Sequence, residues 1–224
     1  LDGNLCRCSC YLGIIKTAKS FGPDKNAGSD YSSSSDVNAT NTYSNFLNNS
    51  TLSKSLTYKS SVFDVTYHVV KTVAELSVLA TKYGLNSIIF INGGTSAGIY
   101  GKEYGKSYVD VRHLSELNKL TSGSSNVVVG ANVPYNKVIN ALKTTNNSKL
   151  LNVAEHLYHI AGQSVRNSGG LGGALAMTKL RNFLSDSVPC LLAAGASVNV
   201  IKITLNNVSS LVSMSVAEYL DYSV

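Results

Sequence analysis

Two glycine pairs, Gly169-Gly170 and Gly172-Gly173, fall within the run 160–186, IAGQSVRNSGGLGGALAMTKLRNFLSD, just after an apolar, helix-like segment. Paired glycines let a backbone turn sharply and present bare N–H groups, a usual means of cradling a diphosphate. A further glycine turn, Asn92-Gly93-Gly94-Thr95, follows the apolar run 87–91, and an acid, Asp186, lies within reach of the later pairs. Two glycine turns, each beside an expected strand or helix, suggest a dinucleotide held between two lobes.

The chain has 224 residues, enough for one well-cored domain or a domain with appendages. No apolar stretch approaches the roughly 20 residues of a membrane span, so no membrane association is expected. The net charge is +6, but the lysines are scattered and no aromatic-interleaved basic cluster appears. That argues against nucleic-acid binding, which relies on a concentrated basic patch. Cys6, Cys8 and Cys10 alternate along the chain and cannot easily bridge one another, and Cys190 stands alone in an apolar run. Metal or cluster ligation in a reducing compartment, hence a cytoplasmic location, fits these cysteines better than a disulfide framework. The chain starts at Leu1 as though in the middle of a motif, so an incomplete protein is expected.

Residues 1–21 form a short cysteine-bearing segment whose second half, with Ile14, Ile15, Ala18 and Phe21, keeps a helical spacing. Residues 22–57 are rich in Ser and Asn, and their few apolar residues keep no period. Such a segment buries too little surface to offset its ordering entropy, so a flexible linker is expected there. From residue 58 onward the pattern is α+β. Residues 72–83 predict a helix with Thr72 as N-cap and Glu75 completing a capping box. Strands are expected over 87–91, 108–111, 126–131 and 197–203. Helices are expected over 134–143, 150–161, 187–194 and 216–220.

The first turn extends over Phe90, Ile91, Asn92, Gly93, Gly94, Thr95, Ser96 and Ala97. Its amides and the Thr95 and Ser96 hydroxyls suit phosphate oxygens, although an ordinary glycine-rich loop has the same look. The order G-x-G-x-x-G is absent, so this is not a Rossmann fingerprint. Arg166 and Asn167 lead into the second, four-glycine turn. Asp186 has two compatible readings, a partner for a ribose or ring edge and an N-cap for the helix at Ser187. His156 and His159 sit one helical turn apart without a third metal ligand, and no G-x-S-x-G elbow supports a hydrolase. Cys6 and Cys8 read either as two surface thiols or as two ligands of an iron–sulfur cluster, which needs four.

Taken together, the residues resemble the xanthine dehydrogenase/aldehyde oxidase family of molybdenum hydroxylases. The segment Leu5-Cys-Arg-Cys-Ser-Cys-Tyr11 resembles the end of that family's second two-iron two-sulfur domain, and residues 22–57 resemble its variable linker. Residues 58–224 resemble its flavin domain, truncated at the C-terminal end. Tyr108-Val-Asp-Val111 with Glu116-Leu117, and Val129-Gly-Ala131, match the family's strand and turn markers. The long gap between Gly173 and Ser185-Asp186 looks like the insect aldehyde oxidases. Four positions depart from the family pattern: Cys10 replaces a Gly, Leu12-Gly13 an Arg-Pro, and Ala174 an Asn.

The resemblance implies an α+β fold, a two-lobed FAD-binding domain preceded by a short helical remnant of a 2Fe-2S domain. It implies FAD contacts at Phe90, Ile91, Asn92, Gly93, Gly94, Thr95, Ser96 and Ala97. The second half of the site would comprise Ile160, Ala161, Gly170, Leu171, Gly172, Gly173, Ala174 and Asp186. Cys6 and Cys8 would ligate a 2Fe-2S cluster whose other ligands lie outside this chain, as does the molybdenum cofactor. The implied parent is an oxidoreductase acting on an aldehyde or a purine. Electrons would pass from molybdenum through 2Fe-2S clusters to FAD, then to dioxygen or NAD, in a homodimeric protein. A diverged, non-catalytic module that keeps the fold but binds FAD weakly is the competing reading, and this chain alone is expected to lack aldehyde turnover.

Overall fold

The computed structural model describes residues 55–100, 106–204 and 207–222, all within one compact unit, Ser55–Val224. Cys6, Cys8 and the expected cluster remnant lie outside the described residues, as does the expected linker up to residue 54.

The first lobe is a four-stranded sheet in the order β1-β2-β4-β3. Strand β1 is Leu56–Lys59, β2 is Thr66–Val69, β3 is Ile88–Ile91 and β4 is Ser107–Asp110. β1 begins inside the range expected as linker. β1 and β2 are antiparallel, whereas β2, β4 and β3 run parallel. Helix α1, Val73–Tyr83, starts where its sequence says it should. The Thr72 side chain accepts from the Glu75 amide, and Glu75 Oε2 accepts from the Thr72 amide, satisfying two otherwise orphaned donors. Leu76 and Ala80 recur at helical spacing and pack on Val70, Ile88, Val109, Val111 and Leu114, the first core. A four-residue helix, α2, Ala97–Tyr100, follows the glycine turn after β3.

The second lobe is mainly helical. A hairpin of β5, Leu120–Ser122, and β6, Val127–Val129, precedes α3, Tyr135–Lys143, and α4, Ser148–Tyr158. Pro134 stands at the N-cap of α3, where its missing N–H costs nothing. Val133, Val138, Ile139, Leu142, Ala154 and Leu157 form the second core, into which Leu120, Val127 and Val129 also pack. Short α5, Gln163–Arg166, leads to α6, Leu171–Arg181, and α7, Ser187–Ala193. A long hairpin, β7 (Ser197–Thr204) with β8 (Asn207–Ser215), and α8, Val216–Asp221, complete the described chain. Leu175 on α6, Val188 on α7 and Val216 on α8 form a third, smaller core.

The α+β expectation holds, with three local corrections. The helix expected over 150–161 stops at Tyr158, where its hydrogen bonds tighten to a three-residue spacing, and Ala161 then takes a left-handed φ of 50°. Gly172 and Gly173 do not turn the chain but occupy the first turn of α6. Asp186 does not cap α7: its φ of −60° and ψ of −22° are already helical, and it makes no side-chain cap bond. A capping residue needs extended backbone to aim its oxygen at the following amides. No helix among the described residues is long and apolar enough to cross a membrane.

Candidate dinucleotide site

The first glycine turn issues directly from the C-terminal end of β3. In open α/β sheets, ligands lie outside the carboxyl ends of parallel strands, where loops diverge and amides point outward. Gly94 adopts φ +65°, a conformation that lets successive amides of the turn face one side. Among the described residues, the N–H groups of Gly93, Gly94, Thr95 and Ser96 donate to no carbonyl or side chain. The turn closes through its carbonyls instead, with the Ala97 amide donating to Gly94 and the Tyr100 amide to Ser96.

The second turn is built from the other side. Arg166 Nη1 donates to the Ile160 carbonyl at 3.0 Å and to that of Ala161 at 2.5 Å, bracing the reversal after α4. The guanidinium also lies 5.0 Å from the centre of the Tyr158 ring, and its Nε reaches Asn136 Oδ1 at 3.3 Å. Asn136 in turn donates to Asn167 Oδ1 at 2.5 Å. The Gly169 carbonyl accepts from the Tyr135 amide at 3.0 Å, and the Gly172 amide donates to Ala131 at 3.2 Å. Gly172 is a contact glycine: a Cβ there would stand 2.5 Å from that of Ala131. The amides of Gly170 and Gly173 have no partner among the described residues, and α6 has no side-chain cap and no acid in its first turn. An 11-residue helix with bare leading amides attracts an anion through both hydrogen bonding and its dipole.

The structure brings the two turns together. A Cβ on Gly93 would overlap the Ser168 carbonyl and lie 2.9 Å from the Gly169 nitrogen, and Thr95 lies over Gly169. Ala174 packs half-buried against the second core, and its carbonyl accepts from Thr178 Oγ1. Phe90, at the end of β3, is exposed. Asp186 is exposed at the start of α7, and no hydrogen bond links it to either turn. Its backbone carbonyl accepts from His156 Nε2 at 2.8 Å. His159 pairs with Glu155, so the two histidines face separate partners. No group of three or more His, Cys, Asp or Glu among the described residues is arranged to hold a metal ion.

One acid does adjoin the first turn. Asp110 is the register partner of Ile91 and is buried. Burial pushes its carboxyl up, but hydrogen bonds from Arg112 and Tyr67 outweigh this and hold it below the usual range. Its charge is thereby matched by the Arg112 guanidinium, 2.6 Å away, and does not oppose an anion at the turn. A diphosphate needs bare amides, open space and no unmatched carboxylate. The joined turns meet all three needs, since positions Gly94 and Gly173 also face open space.

Comparison with known proteins places the chain in a family. Residues 61–219 match the family model described as FAD binding domain in molybdopterin dehydrogenase. Aldehyde oxidase 4 of Arabidopsis thaliana is 31% identical over 90% of this chain and 17% of its own length. An indole-3-acetaldehyde oxidase of the same plant is 30% identical over 100% of this chain and 18% of its own. This chain therefore spans less than a fifth of those relatives. Quinoline 2-oxidoreductase from Pseudomonas putida 86 shares the fold, with a TM-score of 0.52 and 21% identity over 70% of this chain and 51% of that one.

Proposed function

This chain belongs to the family of FAD-binding domains of molybdopterin dehydrogenases, and from that premise we propose that its two joined glycine turns hold the diphosphate of FAD. The contact of Gly93 with Ser168 and Gly169 carries the reading, because it gathers two sets of bare amides at one place. Asn92, Gly93, Gly94, Thr95 and Ser96 donate to one phosphate. The bare amides of Gly170 and Gly173, at the start of α6, face the other, with Leu171 and Gly172 beside them. Phe90, Ile91, Ala97, Ile160, Ala161 and Ala174 line the approaches, and Asp186 takes a ribose or ring-edge hydrogen bond. FAD, when bound, supplies the redox chemistry, and the protein's part is to bind and orient it.

In the parent protein this domain would accept electrons from a molybdenum centre by way of 2Fe-2S clusters and pass them to dioxygen or NAD. Cys6 and Cys8 would contribute to one cluster. The names of the plant relatives favour an aldehyde over a purine as the parent's substrate. A homodimeric, cytoplasmic parent completes the proposal, and the 224-residue chain alone would not turn over aldehyde.

A second reading rests on Ala174, which offers no polar side chain at the start of α6: a module that keeps the fold and holds FAD weakly. Titrating the full 224-residue chain into FAD while following flavin fluorescence decides between them. Saturable quenching, with flavin absorbance retained after gel filtration, supports the cofactor site. No quenching at any protein concentration sinks it.

A further inference from the structure

Behind the second glycine turn lies a chain of three buried hydroxyls. Tyr135 Oη and Ser187 Oγ are 3.0 Å apart, and Ser187 Oγ and Ser185 Oγ are 2.7 Å apart. Ser187 is fully buried, and Tyr135 and Ser185 are nearly so. Asp186 sits between the two serines, yet its own side chain is exposed. The peptide around it is thus fixed by Ser185 and Ser187 from within the core and by His156 at its carbonyl. Its carboxylate meanwhile makes no hydrogen bond or ion pair among the described residues, and its charge is felt at the Tyr135 phenol. A carboxylate used only for stability would be expected to cap the helix it begins, and this one does not.

Tyr135 connects this arrangement to the glycine turn. Its backbone amide holds the Gly169 carbonyl at 3.0 Å while its phenol holds Ser187. One residue at the start of α3 therefore grips both the second turn and the segment presenting Asp186. Within the FAD-site reading above, on which this rests, we infer that Tyr135 is a positioning residue: through Ser187 it sets the Asp186 carboxylate at a fixed distance from the glycine turn. The backbone bond does not depend on the side chain. Removing the phenol oxygen therefore loosens Asp186 and leaves the turn intact, and Ser187 keeps Ser185 as a partner.

The test measures FAD dissociation constants by fluorescence quenching for the full chain and for Tyr135→Phe, Ser187→Ala, Asp186→Asn and the double variant Tyr135→Phe/Asp186→Asn. Tyr135→Phe and Ser187→Ala are each expected to weaken FAD about tenfold, the scale of one buried hydrogen bond. In the Asp186→Asn background, Tyr135→Phe should add little, since the group it positions is gone. A purely structural tyrosine would weaken binding equally in both backgrounds, and that result overturns the inference. So does unchanged binding in Tyr135→Phe, or in Asp186→Asn, while the parent chain binds FAD. Failure of the parent chain itself to bind FAD overturns the site reading and this inference with it. Circular dichroism of each variant checks folding, and Ser187→Ala tests the same relay if Tyr135→Phe misfolds.

Discussion

Gly93 lies against Ser168 so closely that a single methyl group on Gly93 would overlap the Ser168 carbonyl. The obstacle is backbone, not the end of a flexible side chain, so the strain cannot be relieved by a rotamer change. Gly93→Ala should cost about 1–3 kcal/mol of stability by overpacking and separate the two turns. The expected outcome is a lower melting temperature together with loss of FAD quenching. A variant that binds FAD like the parent would show that the turns need not touch.

Gly173 is the contrasting case. A Cβ there meets nothing within 4 Å, and the residue lies in the first turn of a helix. Gly173→Ala should stabilise the FAD-free chain by roughly 0.4–1 kcal/mol through helix propensity and reduced unfolded-state freedom. The same methyl group would intrude on the space assigned to the diphosphate, so FAD binding should weaken. Thermal melts with and without FAD separate the two effects.

His68 is buried on β2 with Nδ1 2.9 Å from Thr57 Oγ1 and Nε2 without a hydrogen-bond partner among the described residues. Burial, and then the charge of Lys82, lower its pKa below the ordinary 6.5. The ring also packs 5.3 Å from that of Tyr83. The folded state keeps it neutral while the unfolded chain takes up a proton below about 6.5. Stability is therefore expected to fall as pH drops below that point, by up to about 1.4 kcal/mol per pH unit, until the folded ring is also charged. Denaturant midpoints measured from pH 7 to pH 5 should show the slope, and His68→Phe should flatten it.

Asp110 shifts in the same direction, in a more acid range. Its pKa is lowered in the fold, so its contribution is present above the unfolded value near 3.8 and is lost as pH falls through the folded value. Tyr67 Oη donates to Asp110 Oδ2 at 2.7 Å, joining β2 to β4 beneath the first glycine turn. Asp110→Ala leaves Arg112 and Tyr67 without that shared acceptor and should cost about 2–4 kcal/mol. Urea unfolding measures the loss. Asp110→Asn, which keeps one acceptor oxygen, should cost less.

Lys179, on α6, donates to the carbonyls of Tyr219, at 2.7 Å, Leu220, at 3.1 Å, and Tyr222. A cation at a helix C-terminus satisfies orphaned carbonyls and matches the dipole. Lys179→Met should cost about 1.5 kcal/mol and speed amide exchange selectively in α8. Uniform exchange across the domain would contradict the local cap.

Much of the fold was legible from neighbouring residues. The Thr72 and Glu75 capping box, Pro134 before α3 and the apolar runs of β3 and β4 follow rules that act within a few residues. β1, β2, β5 and β8 were not legible. β1 is exposed throughout and β8 is rich in Ser, so neither carries the apolar signal of a buried strand. Helix α6 was hidden by its own glycines, which weaken helix propensity but are needed where Ala131 comes too close for any side chain.

The sequence by itself determined the glycine turn after β3 and the α+β class, because these depend on local conformation and residue type. Only the tertiary structure decided that Gly93 would rest on Ser168 and that Asp186 would leave its helix uncapped. It alone placed Tyr135 between Gly169 and Ser187. Those relations join residues remote in sequence through packing, and no local preference records which partner a bare backbone or a buried hydroxyl will meet.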